Sequence, residues 1–155
     1  MTGVATKGRS GLDDYAAPAS LEEAAKLAAD GPVTILAGGT DLMPQSEWGK
    51  LELTGRLINI RRVPELKGIE ISDETIRLGA LVTVTEILES KELKRCASVL
   101  VETADQFASE QIRNMSSIGG NVCNASPAGD MIIPLLLLDA KAELVRWSGT
   151  KIEFR

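Results

Sequence analysis

The sequence predicts a mixed fold of helices and short strands, built as one domain or two small lobes. Three observations lead there. Ser20-Leu21-Glu22-Glu23 and Thr83-Val84-Thr85-Glu86 both have the Ser/Thr-x-x-Glu spacing of a helix capping box. Short apolar runs such as Val33-Thr34-Ile35-Leu36 stop at glycine, as strands do at turns. The chain has 155 residues, 44% of them hydrophobic, enough to bury a real core.

Residues 1–14 read as a flexible N-terminus rich in Gly, Thr and basic side chains. Within it, Gly3-Val4-Ala5-Thr6-Lys7-Gly8-Arg9-Ser10 mimics a phosphate-binding loop, but Arg9 stands where the lysine belongs and no strand precedes it. A first lobe spans residues 15–62. Its helix starts at Ser20, continues through Ala24, Ala25, Leu27 and Ala28, and stops at Asp30-Gly31-Pro32. A buried strand over residues 33–37 runs into Gly38-Gly39, and a second strand at residues 57–60 closes a small β-α-β unit.

The second lobe spans residues 63–155. Residues 69–71 and 75–78 flank Ser72-Asp73-Glu74 as a hairpin. Thr83 opens a short helix to about Glu89. One long amphipathic helix from Glu92 to Phe107 places Leu93, Cys96, Ala97, Leu100, Ala104 and Phe107 on one stripe. Residues 134–138 suggest an apolar helical turn, and residues 142–147 a strand closed by Ser148-Gly149. Residues 151–155 read as a terminal strand without a partner, whose unpaired backbone groups make the lobe look cut short.

Composition removes several function classes. The formal net charge is −5, with 17 basic and 22 acidic side chains and no basic block to track phosphates. Aromatic content is 3%, too low for base-stacking platforms, so nucleic acid is not an expected partner. The absence of histidine removes imidazole acid–base chemistry, Ser–His triads and the commonest metal ligand. Cys96 and Cys123 are too few for a four-thiolate metal or iron–sulfur site and are expected to be small buried residues in a reducing compartment. The apolar stretch over residues 131–138 contains Pro134 and is too short for a membrane span, and residues 1–14 lack a signal-like run. The chain therefore reads as cytoplasmic, with no membrane partner, no metal ligands and no catalytic acid or base. The Asn-x-Ser sequons at Asn114 and Asn124 have no glycan meaning there.

Two glycine pairs carry the chemistry. The strand entering Gly38-Gly39 is followed by Thr40 and Asp41. Glycines let the backbone approach a ligand and turn its N–H groups inward as an anion nest, and Thr40 adds a hydroxyl. Taken alone the pair reads more often as a tight turn than as a ligand loop, and Leu42 at the third glycine position excludes the dinucleotide fingerprint. The second pair lies in Ser116-Ser117-Ile118-Gly119-Gly120-Asn121. Two such turns suit an extended diphosphate, which needs donors from two sides. Neither residues 37–42 nor 116–121 contain Lys or Arg, so main-chain N–H groups are expected to supply most of the anion binding.

The string Leu36-Ala37-Gly38-Gly39-Thr40-Asp41-Leu42-Met43 resembles the first FAD loop of the molybdopterin-dehydrogenase FAD-binding family. Its members are medium subunits or middle domains of xanthine dehydrogenases, carbon monoxide dehydrogenases and 4-hydroxybenzoyl-CoA reductases. Gln111-Ile112-Arg113-Asn114, Ser117-Ile118-Gly119-Gly120-Asn121 and Asn124-Ala125-Ser126-Pro127-Ala128-Gly129-Asp130 resemble its second region, and Leu78-Gly79-Ala80 with Thr83 the segment between. The likeness runs from Tyr15 through nearly the whole chain.

The resemblance implies an α+β fold: a two-lobed FAD-binding domain of the vanillyl-alcohol-oxidase (PCMH) type, with the cofactor extended between lobes. It implies that Ala37, Gly38, Gly39, Thr40 and Leu42 line the diphosphate and ribityl chain, and that Ser117, Gly119, Gly120 and Asn121 close on the diphosphate from the second lobe. Asp130 would bond a hydroxyl of the ribityl–ribose region, Ala80 and Thr83 would sit near the flavin, and Asp41, Ile118 and Asn124 complete the cofactor-binding set. Relatives of this type run well past position 155. The extra cysteines of reductases with a [4Fe–4S] cluster are absent, which argues against that subtype.

The function so implied is electron transfer. A molybdopterin-binding large subunit oxidises the organic substrate, and a [2Fe–2S] small subunit passes electrons to FAD and an external acceptor. A non-catalytic nucleotide-binding module would use the same loops without redox turnover; a purely structural domain would use them as turns.

Overall fold

The structure, a computed structural model, describes residues 11–155; the phosphate-loop mimic lies outside the described residues. The first lobe is a three-stranded parallel sheet of β1 (Gly11–Ala16), β2 (Val33–Leu36) and β3 (Thr54–Asn59), in the order β1-β3-β2. Parallel neighbours need crossover connections. Helix α1 (Leu21–Ala28) joins β1 to β2, and α2 (Leu42–Glu47) lies between β2 and β3. Register pairs Leu36 with Asn59, so the carboxyl ends of β2 and β3 lie side by side.

Strand β1 takes in residues 11–14, which the sequence assigned to the terminus. Asp13 and Asp14 disfavour a strand intrinsically, and pairing along β3 overrides them. Asp14 Oδ2 also accepts from Arg56 Nε at 2.8 Å, which holds the Asp14 carboxyl below its ordinary range.

Helix α1 begins as the sequence implied. Ser20 Oγ accepts the Glu23 N–H at 3.2 Å, while the Glu23 carboxylate reaches one residue further back than expected, to the Ala19 N–H at 2.9 Å. A third donor of this helix end is met from the turn after β3. There Glu65 Oε1 accepts the Leu21 N–H at 3.0 Å, and that bond keeps the Glu65 carboxyl below its ordinary range.

In the second lobe, β4 (Ile69–Ile71) and β5 (Ile76–Leu78) form the expected antiparallel hairpin. Helix α3 (Val84–Glu89) carries a complete capping box between Thr83 and Glu86. The predicted long helix is two helices, α4 (Lys91–Cys96) and α5 (Ser98–Gln106), broken at Ala97 with φ −148 and ψ 53. Ser90 caps the first of them, accepting from Leu93 N–H. The break resets the helical phase. Leu93 and Ala97 still enter the core, as do Leu100, Val101 and Ala104, but Cys96 falls outside it.

Three short helices follow: α6 (Glu110–Arg113), α7 (Ile118–Asn124) and α8 (Ile132–Leu137). Cys123 lies on the outer side of α7, so both cysteines are exposed rather than buried as expected. The terminal strand is not unpartnered. Strands β6 (Val145–Trp147) and β7 (Ile152–Phe154) pair antiparallel across the Ser148-Gly149 turn, with Arg146 and Glu153 forming an ion pair at 2.6 Å. This hairpin rests on the first lobe, where Lys26 Nζ lies 4.6 Å from the centroid of the Trp147 ring.

Ile58 is fully buried in the first lobe, where Ala24, Ala25 and Leu53 are buried too, and Val63 is fully buried just after it. A larger cluster in the second lobe joins Val82, Val84 and Ile87 to α4, α5, Ile118 and Met131. No helix among the described residues is long and apolar enough to cross a membrane.

Two outcomes follow from this packing. Leu100, 1% exposed, sits inside the larger core, so Leu100→Ala should cost about 2–5 kcal/mol in denaturant unfolding. The depressed Glu65 carboxyl stabilises the fold above its unfolded titration range, and that contribution is lost as pH falls through the folded value. The stability deficit of Glu65→Gln should therefore shrink between about pH 6 and about pH 3 in thermal melts.

Candidate functional site

The site forms where β2 and β3 end. Open parallel sheets leave a crevice at the carboxyl ends of their strands. After β2 the chain passes through Ala37, Gly38, Gly39, Thr40 and Asp41 into α2. Among the described residues, no N–H from Ala37 to Leu42 donates a hydrogen bond within the chain. Nearby carbonyls are used instead, Gly39 accepting from Met43 at 3.1 Å and Asp41 from Gln45 at 3.0 Å. Open donors beside satisfied acceptors make this turn a concentration of partial positive charge.

The turn lies directly on the second region. A Cβ on Gly38 would stand 1.9 Å from the Met115 carbonyl oxygen, so only glycine permits this approach. Thr40 Oγ1 and Ser116 Oγ are 3.0 Å apart, and Asn124 Nδ2 donates to Asp41 Oδ2 at 2.9 Å. The first glycine turn thus meets the segments on either side of the second pair, at Met115-Ser116 and at Asn124.

The second pair is not a loop. Thr83 and Ser117 form an antiparallel bridge, flanked by Val84 N–H to Ser116 O at 3.0 Å and Ile118 N–H to Val82 O at 2.8 Å. Ser117 then caps α7. Its Oγ accepts the Gly120 N–H at 3.2 Å, and its carbonyl accepts from Asn121 at 3.0 Å. Gly119 donates to the Ala80 carbonyl at 2.9 Å, and a Cβ there would lie 2.7 Å from Ala80.

The amides of Ile118, Gly119, Gly120 and Asn121 are thus all engaged. Bare main-chain donors are offered by the first turn and not by these four residues, because the carbonyls of Ala80, Val82 and Ser117 and the Ser117 hydroxyl take them. What this side presents is side-chain chemistry. Asn121 Oδ1 is buried without a hydrogen-bond partner among the described residues, an open acceptor of the kind a ligand donor satisfies.

A cavity of about 220 Å³ lies between the two regions. Ala37 and Gly38 line it from the first turn, Thr83 and Ser117 from the second lobe, and two cations, Arg61 and Lys67, from the chain after β3; one carboxylate, Glu86, also lines it, and its Oε2 accepts from the Thr83 N–H and hydroxyl. Neither cation is announced by the glycine turns, which contain no Lys or Arg themselves. Register brings Arg61 here: with Leu36 beside Asn59, residue 61 follows the end of β3 as residue 38 follows the end of β2. Arg61 Nη2 reaches to 3.7 Å from Met115 Sδ.

The remaining expected residues are spread around this centre. Ala80 supports Gly119, Leu42 starts α2, and Ile118, 5% exposed, belongs to the core. Asp130 is exposed on the turn before α8. Among the described residues no cluster of three or more His, Cys, Asp or Glu side chains could hold a metal ion.

Comparison with known proteins places this geometry. The chain is 37% identical over 143 residues to the nicotinate dehydrogenase FAD-subunit of Eubacterium barkeri, covering 89% of this chain and 47% of that one. It is 34% identical over 132 residues to the xanthine dehydrogenase FAD-binding subunit of Escherichia coli O157:H7, covering 84% and 45%. Among solved structures, the reconstituted CO dehydrogenase from Oligotropha carboxidovorans superposes with a TM-score of 0.83 at 31% identity, covering 91% of this chain and 50% of that chain. The chain spans about half the length of the curated relatives it matches. A family model described as the FAD binding domain in molybdopterin dehydrogenase matches residues 8–153, and the chain belongs to that family.

Proposed function

We propose that this chain holds FAD as the flavin part of a molybdenum-containing hydroxylase or dehydrogenase complex, passing electrons from iron–sulfur clusters to an external acceptor. The observation that carries the reading is the run of open amides at residues 37–42 beside a cavity with two cations. A diphosphate needs such donors, and the orphaned Asn121 Oδ1 suits a sugar or ribityl hydroxyl. These residues fit FAD.

In this reading the N–H groups of Ala37, Gly38, Gly39, Thr40 and Leu42 hold the diphosphate and the start of the ribityl chain. Arg61 and Lys67 neutralise its charge from the cavity wall. The Ser117 hydroxyl and Asn121 bond sugar or ribityl hydroxyls, with Asp130 adding another acceptor. Gly119 and Gly120 work indirectly, by letting α7 seat against Ala80, while Ile118 anchors that helix and Thr83 borders the flavin. Bound FAD supplies the redox chemistry, and the protein supplies position and electrostatics.

No residue here acts as a general acid or base toward organic substrate. A molybdopterin-binding large subunit performs the oxidation, and a [2Fe–2S] small subunit delivers the electrons. The relatives name nicotinate, xanthine and carbon monoxide, so substrate choice lies outside this shared chain. Their FAD-subunit names favour redox work over plain nucleotide holding. Such a complex belongs in the cytoplasm.

Gly38→Ala tests the reading. The added methyl must push the first turn off Met115, and FAD affinity measured by flavin fluorescence should fall about tenfold or more. Unchanged affinity in a variant that still melts cooperatively would contradict it. Replacing Arg61 and Lys67 together by Gln should weaken binding and flatten its dependence on ionic strength, since the screened charges are gone.

A further inference from the structure

Asp41 occupies the N-cap position of α2, where aspartate ordinarily accepts a hydrogen bond from its own helix. Here it makes no such bond. Its Oδ2 accepts instead from Asn124 Nδ2 at 2.9 Å, 83 residues further along the chain. Asn124 is the last residue of α7, and the next residue, Ala125, is held left-handed at φ 49 and ψ 31. A non-glycine residue resists that conformation. Two local preferences are therefore set aside at the two ends of one hydrogen bond.

Charge supplies the reason. Asp41 is the one anionic side chain among residues 37–42, whose amides stand open. A carboxylate free to swing there would accept from the same N–H groups and repel a diphosphate. Building on the FAD reading, we propose that Asp41 and Asn124 form a latch. The Asn124 amide draws the Asp41 carboxylate away from the open donors and ties the first turn to α7. Both are positioning residues, acting on FAD through each other. The neutral Thr40–Ser116 contact at 3.0 Å holds the neighbouring stretch independently, so loss of Asn124 releases the charge while the turn stays docked.

The test is FAD titration of the unaltered chain, Asn124→Ala, Asn124→Asp and the double variant Asp41→Asn/Asn124→Ala, at low and high salt, with melting curves taken without FAD. Asn124→Ala should weaken FAD binding about tenfold at low salt and less at high salt, where the freed carboxylate is screened. Asn124→Asp, which sets a second carboxylate against the first, should weaken it further, and the double variant should recover most of the loss. Melting points close to that of the unaltered chain accompany this pattern, whereas a merely structural contact would lower them without any charge rescue. FAD binding unaffected by Asn124→Ala, or no recovery in the double variant, would overturn the latch alone. No saturable FAD binding by the unaltered chain would overturn the flavin reading and the latch with it.

Discussion

The site depends on the backbone of Gly38 lying against the carbonyl of Met115, an approach that leaves no room for a β-carbon at residue 38. Sheet register sets the stage for it, because β2 and β3 end together and release both following segments toward the second lobe. Once the two backbones touch, the short side chains at residues 40, 41, 116 and 124 come within bonding distance of one another. The cavity with its two cations is the space left beside that contact.

The two glycine pairs do different work. At residues 38 and 39 the chain leaves its donors unused, which makes the turn receptive to negative charge. At residues 119 and 120 the donors are consumed inside the protein, and the glycines serve close packing. Helical glycine is disfavoured by about 1 kcal/mol relative to alanine. Here the bonds to Ala80 and Val82 and the Ser117 cap secure the helix regardless. One side leaves its donors open and the other scaffolds.

Much of this was legible in the sequence. The capped helix starts at Ser20 and Thr83, the Ile69–Ile71 hairpin and the meeting of the first glycine turn with the Ser116 segment all follow from local signals or from the family motif. What escaped was set by tertiary context. Strand β1 has a poor strand composition and exists through its pairing with β3. The break at Ala97 interrupts a pattern whose helical period looks continuous, and it takes Cys96 out of the core. Helix α7 hid behind its glycines, and Arg61 and Lys67 reach the site through a register that composition does not encode.

The central claim, that unengaged amides of the first turn receive the diphosphate, is tested most directly by amide NMR of this 16.5 kDa chain titrated with FAD. The account predicts large shift changes concentrated on Ala37, Gly38, Gly39, Thr40 and Leu42, with smaller ones at Ile118, Gly119 and Gly120, whose N–H groups already have partners. Saturable binding that leaves the amides of residues 37–42 unmoved would contradict it.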